Sequence, residues 1–236
     1  MRMMMAMKQI LEGLHTFTTL LMGRVYLIED ADGCTLVDTG LASSAKRIGK
    51  ELRQSGRKLA DIKRIVITHA HYDHIGGLAQ LKEMTGAQII AHPLEKKVLQ
   101  GEMAEVRPKR ESLSLIGKLL WQASRTWPAL EVQREVNDGD VLADVMGGLH
   151  TIHAPGHAPG QIALWQPDWR VLICGDALMN LPSLRLPIAA FTVDMQQTKQ
   201  TIQNLAKLNP AIVCFGHGPP IFLEAAVKLR AFASKL

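Results

Sequence analysis

The stretch VITHAHYDHIGG, at residues 66–77, carries four metal-capable side chains within six positions. They are His69, His71, Asp73 and His74, between the apolar run RIVIT and a glycine pair. Imidazole and carboxylate groups are the usual protein ligands of zinc, and they also suit iron and manganese. His69 and His71 are two positions apart, so an extended chain can point both at one ion. Asp73 and His74 lie further round the turn and can reach a neighbouring ion.

Three further candidates come later in the chain, each beside a glycine after an apolar run. His157 lies in APGHAPG, Asp176 in ICGDALM and His217 in CFGHGPP. Glycine lets the backbone turn sharply and present a side chain at the tip of a strand. His153 lies four residues before His157, but the PGH context favours His157 as the ligand. The full set of donors is too large for one tetrahedral ion and suits two ions that share a carboxylate.

The elements that must position these residues alternate between strand-rich and helical stretches. Short apolar runs bounded by turn residues predict strands, and stretches with capping and stop signals predict helices. Asp194 is the expected N-cap of one helix. The predicted elements are a hairpin over 24–38, a helix over 43–55, a strand over 62–68, a helix over 76–86, a strand over 87–92, a helical segment over 94–127, further strands from 131, a helix over 194–208, a strand over 211–216 and a helix over 221–235.

We expect a single domain over residues 1–236, because the sequence has no Ser/Gly-rich linker, low-complexity tract or internal repeat. Two β-rich halves, each followed by helices, predict an α/β sandwich with helices outside two sheets. Residues 94–127 interrupt this alternation of strands and helices, and they predict a helical insertion that could border the active site. The residues at helical spacing in it are Leu113, Ile116, Leu120 and Ser124. This mostly apolar face would either pack on the sandwich or overhang the cleft.

The motifs THAHYDHIGG, PGHAPG, GDA and GHG, preceded by LVDTG, resemble those of the metallo-β-lactamase superfamily. The resemblance is to its dinuclear hydrolase branch, which includes glyoxalase II and lactonases, and it covers most of the chain in the family's order. It implies the four-layer αββα sandwich of that family, in agreement with the layered arrangement predicted above.

Carried over by position, the resemblance implies a role for each donor. His69, His71 and His157 would hold one ion, and Asp73, His74 and His217 would hold the other. Asp176 would bridge the two ions. Asp38 of LVDTG would touch a ligand imidazole and orient it, which commonly strengthens a histidine ligand.

The implied activity is that of a dinuclear metal-dependent hydrolase. Two divalent ions, expected to be zinc with iron or manganese as alternatives, would share a water and lower its pKa. The resulting hydroxide would attack a carboxylic ester, thioester or lactone, with Asp176 as the bridge and Asp73 able to shuttle a proton. Two alternatives stay open: a phosphodiesterase, and an iron-dependent oxidoreductase acting on a sulfur compound.

Two aromatic residues are candidates for substrate contact. Trp121 lies in the helical segment, where its side chain could form an apolar wall for an acyl group. Phe191 could occupy a place comparable to the tyrosine that follows the bridging aspartate in lactonases of this superfamily, but it cannot donate a hydrogen bond. Arg107, Lys109 and Arg110 are expected near the entrance.

Composition limits the partners. The formal net charge of +5 is compatible with an anionic small molecule, and no basic run interleaved with aromatic residues predicts nucleic-acid binding. No apolar run is long enough for a transmembrane helix, and the N-terminus does not resemble a secretory signal. Three cysteines in apolar runs favour free buried thiols and a cytoplasmic location. A homodimer is left open.

Overall fold

The computed structural model describes residues 7–127 and 129–236. In these residues, seven strands form the first sheet in chain order. They are β1 (Met7–Leu11), β2 (Leu14–Phe17), β3 (Tyr26–Asp30), β4 (Gly33–Val37), β5 (Ile62–Val66), β6 (Gln88–Ala91) and β7 (Arg134–Glu135). The strands from β4 to β7 pair in parallel, so their carboxyl ends lie at one edge of the sheet.

The second sheet of the described residues has the order β14-β11-β10-β9-β8. Its strands are β8 (Val141–Leu142), β9 (Leu149–His153), β10 (Ile162–Gln166), β11 (Val171–Ile173) and β14 (Ile212–Cys214), and a small separate hairpin pairs β12 (Met179–Asn180) with β13 (Leu184–Arg185). β11 and β14 are parallel, and both β9 and β11 run antiparallel to β10. The chain therefore leaves β9, β11 and β14 at the same edge.

Helices cover the outer faces of both sheets. In chain order they are α1 (Ser44–Gln54), α2 (Tyr72–Ile75), α3 (Leu78–Thr85), α4 (Pro93–Leu99), α5 (Leu115–Leu120), α6 (Met195–Lys207) and α7 (Ala225–Ala233). Among the described residues, no helix is both long and apolar enough to cross a membrane.

Alternation along each strand decides which layer a side chain enters. Ile65 packs with Ile48 of α1 and Leu78 of α3, whereas the next residue, Val66, packs with Leu164 of the second sheet. A separate apolar cluster joins the outer face of the second sheet to α6 and α7. Burying each large aliphatic side chain contributes about 1.5–3 kcal/mol. These layers of helix, sheet, sheet and helix confirm the predicted αββα sandwich.

Most predicted elements lie where the sequence indicated. The hairpin is β3 and β4, and the helix expected over 43–55 is α1, although Ser43 makes no side-chain capping bond. α3 ends at Gly86, which has a φ of 68°. The Asp194 side chain accepts a hydrogen bond from the backbone N–H of Gln197 and caps α6 as expected.

The segment over 94–127 differs from its prediction. It contains most of α4 and the six-residue α5, joined by extended chain. Leu113 and Ser124 lie outside α5, so the expected continuous apolar face does not form. Trp121 leaves the helix with a ψ of 138°, and its indole N–H donates to the carbonyl of Pro108 at 2.9 Å. This long-range bond favours the end of the helix at that point.

Candidate metal centre

The loop after β5 is held in a fixed shape by a buried carboxylate. Asp38 follows β4, and its carboxylate accepts hydrogen bonds from the backbone N–H of Thr68 at 2.8 Å and from the Thr68 hydroxyl at 2.7 Å. β4 and β5 are parallel neighbours, which brings the two loops together. His71 occupies the N-cap position of α2 without a side-chain capping bond, and this single helical turn carries Asp73 and His74. The strand end and the short helix thus present four donors in succession.

The residue before His217, Gly216, must be glycine on steric grounds. A Cβ at Gly216 would lie 1.9 Å from Oδ1 of Asp176 and 2.8 Å from Cε1 of His74. The backbone after β14 therefore approaches these two side chains more closely than any residue but glycine permits. This contact brings the His217 loop against the loop after β5.

The first group of donors is buried at the edge of the sandwich where the carboxyl ends of β5 and of the second-sheet strands meet. Ligand atoms of His69, His71 and His157 all lie within 4.8 Å of one another, so these residues could hold a metal ion. Nε2 of His157 is 2.9 Å from Nδ1 of His71. The first sheet supplies two of these histidines, and the second sheet supplies the other.

The second group consists of Asp73, His74 and His217, whose ligand atoms also lie within 4.8 Å of one another. Nε2 of His217 is 3.0 Å from Oδ2 of Asp73. Asp176 lies between the groups, with Oδ2 at 3.2 Å from Nε2 of His217 and 3.6 Å from Nε2 of His157. Its Oδ1 is 3.4 Å from Nε2 of His74. All seven candidate ligands are thus brought together.

Hydrogen bonds on the outer side of the imidazoles determine which nitrogen faces the centre. The Thr68 hydroxyl donates to Asp38, so its oxygen accepts from the Nδ1–H of His69 at 3.1 Å. In the same way, the Thr192 hydroxyl donates to the carbonyl of Ile188 and accepts from Nδ1–H of His157 at 3.1 Å. In both histidines Nε2 is then the nitrogen that carries the lone pair; that of His69 has no partner among the described residues, and that of His157 faces Nδ1 of His71.

The inward-facing atoms fit a metal. Nδ1 of His74 is 2.8 Å from Oδ2 of Asp38, which leaves Nε2 of His74 facing the centre. Nε2 of His69, Nε2 of His74 and Oδ1 of Asp176 are buried and have no hydrogen-bond partner among the described residues. Buried polar atoms without a partner are costly, and a bound cation would satisfy all of them.

The two groups differ in electrostatics. Burial lowers the pKa of His157 to about 4 and the pKa values of His69 and His71 well below their usual range, so these imidazoles are neutral. Burial also disfavours a charged His217, but Asp176 and Asp73 outweigh it and raise the pKa of His217 to about 9. The second group therefore holds a proton at neutral pH unless another cation takes its place.

A cavity of about 380 Å³ opens over these residues. Its wall includes Phe191, and the guanidinium of Arg107 lies 5.3 Å from the centre of that ring. Trp121, expected in the cleft, does not line this cavity because its indole is turned towards Pro108. The neighbouring Gln122 lines it instead. The lining residues are Met22, His71, Tyr72, Asp73, Arg107, Gln122, His157, Asp176, Met179, Leu181, Pro187, Ile188, Phe191 and His217.

Other candidates from the sequence lie outside the centre. The ring of His153 stacks on His92 with centroids 4.5 Å apart, and Nε2 of His153 is 2.9 Å from the carbonyl oxygen of Pro159. Cys34, Cys174 and Cys214 are buried and free, as expected. Burial raises the pKa of Cys174 well above its usual range, so this thiol stays neutral within the core.

Four residues of the site were not predicted from the sequence. Thr68 and Thr192 hold ligand imidazoles, Glu105 forms a buried ion pair with Arg107, and Glu95 contacts two of the ligand loops. Oε1 of Glu105 also lies 3.6 Å from Nε2 of His71. Thr68 adjoins the histidine motif and could have been suspected. Thr192, Glu95 and Glu105 are remote from every motif and become neighbours of the site only through the fold.

Comparisons with known proteins identify the family of the chain. The family model of the metallo-β-lactamase superfamily matches residues 18–217. The probable metallo-hydrolase YflN of Bacillus subtilis is 30% identical over 229 residues, which cover 89% of this chain and 85% of that protein. A hydroxyacylglutathione hydrolase of Ectopseudomonas mendocina is 31% identical over 188 residues, covering 78% of this chain and 56% of that protein.

Solved structures show the same fold. A metallo-β-lactamase family protein from Thermus thermophilus superposes with a TM-score of 0.71 at 23% identity, covering 96% of this chain and 79% of that one. A subclass B3 metallo-β-lactamase of Bradyrhizobium japonicum gives a TM-score of 0.70 at 26% identity, covering 98% of this chain and 90% of that one. The chain is a metal-dependent hydrolase by family, and it belongs to the metallo-β-lactamase superfamily.

Proposed function

We propose that this protein is a dinuclear metal-dependent hydrolase of carboxylic esters, thioesters or lactones. The observation that carries the proposal is the position of Asp176, whose carboxylate lies within 3.6 Å of histidines from both donor groups. A carboxylate between two triads suits a pair of ions that share a ligand. Such a pair, when bound, activates a water and polarises the oxygen of the scissile group. The nitrogen and oxygen donors suit zinc, with iron or manganese as alternatives.

The chain's own residues support the handling of an acyl substrate. Asp73 lines the cavity, its side chain is 22% exposed, and its Oδ2 is 3.0 Å from Nε2 of His217. This carboxylate is therefore in a position to accept a proton at the cavity wall. Met179, Leu181 and Ile188 line the same cavity and suit an apolar acyl or alkyl group. Arg107, whose charge is paired with Glu105, also lines the cavity, and its Nε–H, which has no partner among the described residues, can donate to a polar part of the substrate.

The relatives favour the acyl substrates over the alternatives. The name hydroxyacylglutathione hydrolase describes the hydrolysis of an acylated thiol, although this chain spans only 56% of that protein. We infer a small-molecule substrate rather than nucleic acid. The buried free thiols support a reducing cytoplasmic environment.

The test is a turnover screen of the metal-loaded protein against matched carboxylic esters, thioesters, lactones and phosphodiesters. We expect at least one acyl class to be hydrolysed with a kcat/KM well above that of any phosphodiester. The protein stripped of metal by a chelator serves as the control. Turnover of phosphodiesters alone would establish the phosphodiesterase alternative. Oxidation of a sulfur compound by the iron-loaded protein, without hydrolysis, would establish the oxidoreductase.

A second cleft suggests where a long acyl chain would lie. It has a volume of about 690 Å³ and runs between α5 and the segment 184–190. Ile116 and Leu120 line it from the side of α5. Pro187 and Ile188 line both this cleft and the metal cavity, so the two are adjacent.

If the acyl chain extends into this cleft, replacing both Ile116 and Leu120 by alanine should raise KM for long-chain substrates by about tenfold or more. The reason is that each methylene group in an apolar pocket is worth about 1–3 kcal/mol of binding free energy. KM for acetyl substrates should stay nearly unchanged. Leu119→Ala is the matched control, because Leu119 is 85% exposed on the same helix and does not line the cleft. An equal loss for short and long chains would indicate a general defect and contradict the assignment.

A further inference from the structure

Glu95 is a buried acid that the ligand motifs do not include. It lies in α4, and only 3% of its surface is exposed. Its Oε2 accepts a hydrogen bond from the backbone N–H of Ala70 at 2.7 Å, and its Oε1 accepts one from the backbone N–H of Gly160 at 2.8 Å. Carboxylates are seldom fully buried unless they are paired, so these two bonds account for its position.

The two N–H groups belong to the loops that carry the first donor group. Ala70 lies between His69 and His71, and Gly160 lies three residues after His157. One carboxylate therefore connects the loop of the first sheet to the loop of the second. Its two oxygens fix the distance between the backbones that present all three histidines.

Asp38 acts on a different part of the centre. Its carboxylate holds Thr68 and Nδ1 of His74, which belongs to the second group. Glu95 has no hydrogen bond to Asp73, His74 or His217 among the described residues. Both buried acids thus hold the loop after β5, but of the two it is Glu95 that also holds the loop of His157, and its bonds go to the backbones of the first group of ligands.

We propose that Glu95 is a positioning residue that sets the spacing of His69 and His71 from His157 and so determines the affinity for one of the two metal ions. The inference rests on the dinuclear centre proposed above. The small cavity beside Glu95 is walled mainly by apolar groups, among them Leu94, Val98 and Met103. The other carboxylate that lines it, Glu105, is already paired with Arg107.

Glu95→Gln is the most informative variant. The glutamine has nearly the same shape, but it offers one acceptor oxygen, and its amide N–H₂ would face the other backbone N–H. One of the two loops then loses its hydrogen bond to residue 95, and its backbone N–H is repelled by the amide N–H₂. Glu95→Asp keeps both oxygens but draws them back by one methylene group, and it provides an independent variant if the glutamine form does not fold.

The experiment titrates the metal-free protein with Zn²⁺ in the presence of a chromophoric chelator and counts the ions bound at each affinity. The wild type should bind two ions. In Glu95→Gln the affinity for one ion should fall by about 10–100-fold, the range seen when groups that orient metal ligands are lost. The other ion should be retained with nearly unchanged affinity. Glu83→Gln, an exposed change on α3, is the matched control.

Combining the change with His217→Ala identifies the affected ion. His217→Ala removes a ligand of the second group, so the double variant should retain neither ion tightly if Glu95 serves the first group. Unchanged affinities in both Glu95 variants, or equal weakening of both ions, would overturn the proposal. The melting temperatures of the metal-free variants report folding separately. The readout requires no substrate, so a failure of the proposed hydrolase activity would leave this test intact.

Discussion

Asp176→Ala is expected to reduce the metal content of the purified protein from two ions per chain to one or fewer and to abolish most of the hydrolytic activity. The carboxylate of Asp176 lies against His74, His157 and His217 and is the contact between the two donor groups. Loss of a group that merely orients a ligand costs about 10–100-fold in affinity. Loss of the shared ligand itself should exceed that range for at least one ion.

The measurement is metal content by elemental analysis after dialysis, together with kcat on whichever substrate the screen identifies. Asp168→Ala is the matched control, because Asp168 is an exposed aspartate in the turn between β10 and β11. The melting temperature of the metal-free variant reports folding separately, because Asp176 also pairs with His217 in the metal-free protein. Two tightly bound ions in Asp176→Ala would show that the carboxylate is not a shared ligand.

Asp38→Asn is expected to weaken the affinity for the second ion by about 10–100-fold. The aspartate accepts from the Thr68 N–H, the Thr68 hydroxyl and the Nδ1–H of His74. Asparagine can accept with its oxygen only, and its amide nitrogen would face a donor. Nδ1–H of His74 then loses its acceptor, and the imidazole is free to turn away from the centre.

Asparagine is the better substitution here because Asp38 has a φ of 61°, a conformation that Asn tolerates and Ala does not. Zn²⁺ titration reports affinity, and the melting temperature of the metal-free protein reports stability. Asp144→Asn, at an exposed position, controls for the change of charge. The opposing explanation is that Asp38 only caps a turn, at a cost of about 1 kcal/mol. A lowered melting temperature with unchanged metal affinity would support that explanation.

Features that depend on short spans of chain could be predicted from the sequence. The glycine-flanked donors at strand ends indicated a metal centre, and the structure brings all of them to one edge of the sandwich. The cap of α6 by Asp194 follows from local chemistry in the same way. The N-cap residue and the N–H that it binds lie within a few positions of each other. For the metal donors, the strand order decides at which edge of the sheet each loop emerges.

Features that depend on contacts between distant residues could not be predicted. Thr192 holds His157 across 35 positions, and Glu95 holds Ala70 across 25. Ile116 and Leu120 do share one helix, but α5 ends after six residues, and the indole N–H of Trp121, just beyond its end, donates to the carbonyl of Pro108. Periodicity describes which residues could share a face. It does not reveal where the helix will end or which distant backbone group its last side chain will contact.

The division of the ligands between the two sheets has a consequence for folding. His69 and His71 follow β5, whereas His157 and His217 follow strands of the second sheet, more than 80 positions further along the chain. The loop-closure entropy of bringing them together must be overcome before any ion gains its full set of ligands. A bound ion then acts as a non-covalent cross-link between the amino-terminal and carboxyl-terminal halves. At a free metal concentration about 100 times Kd, each ion would add about 2.7 kcal/mol to the free energy of unfolding, so the metal supply would shift the equilibrium between the folded and unfolded chain.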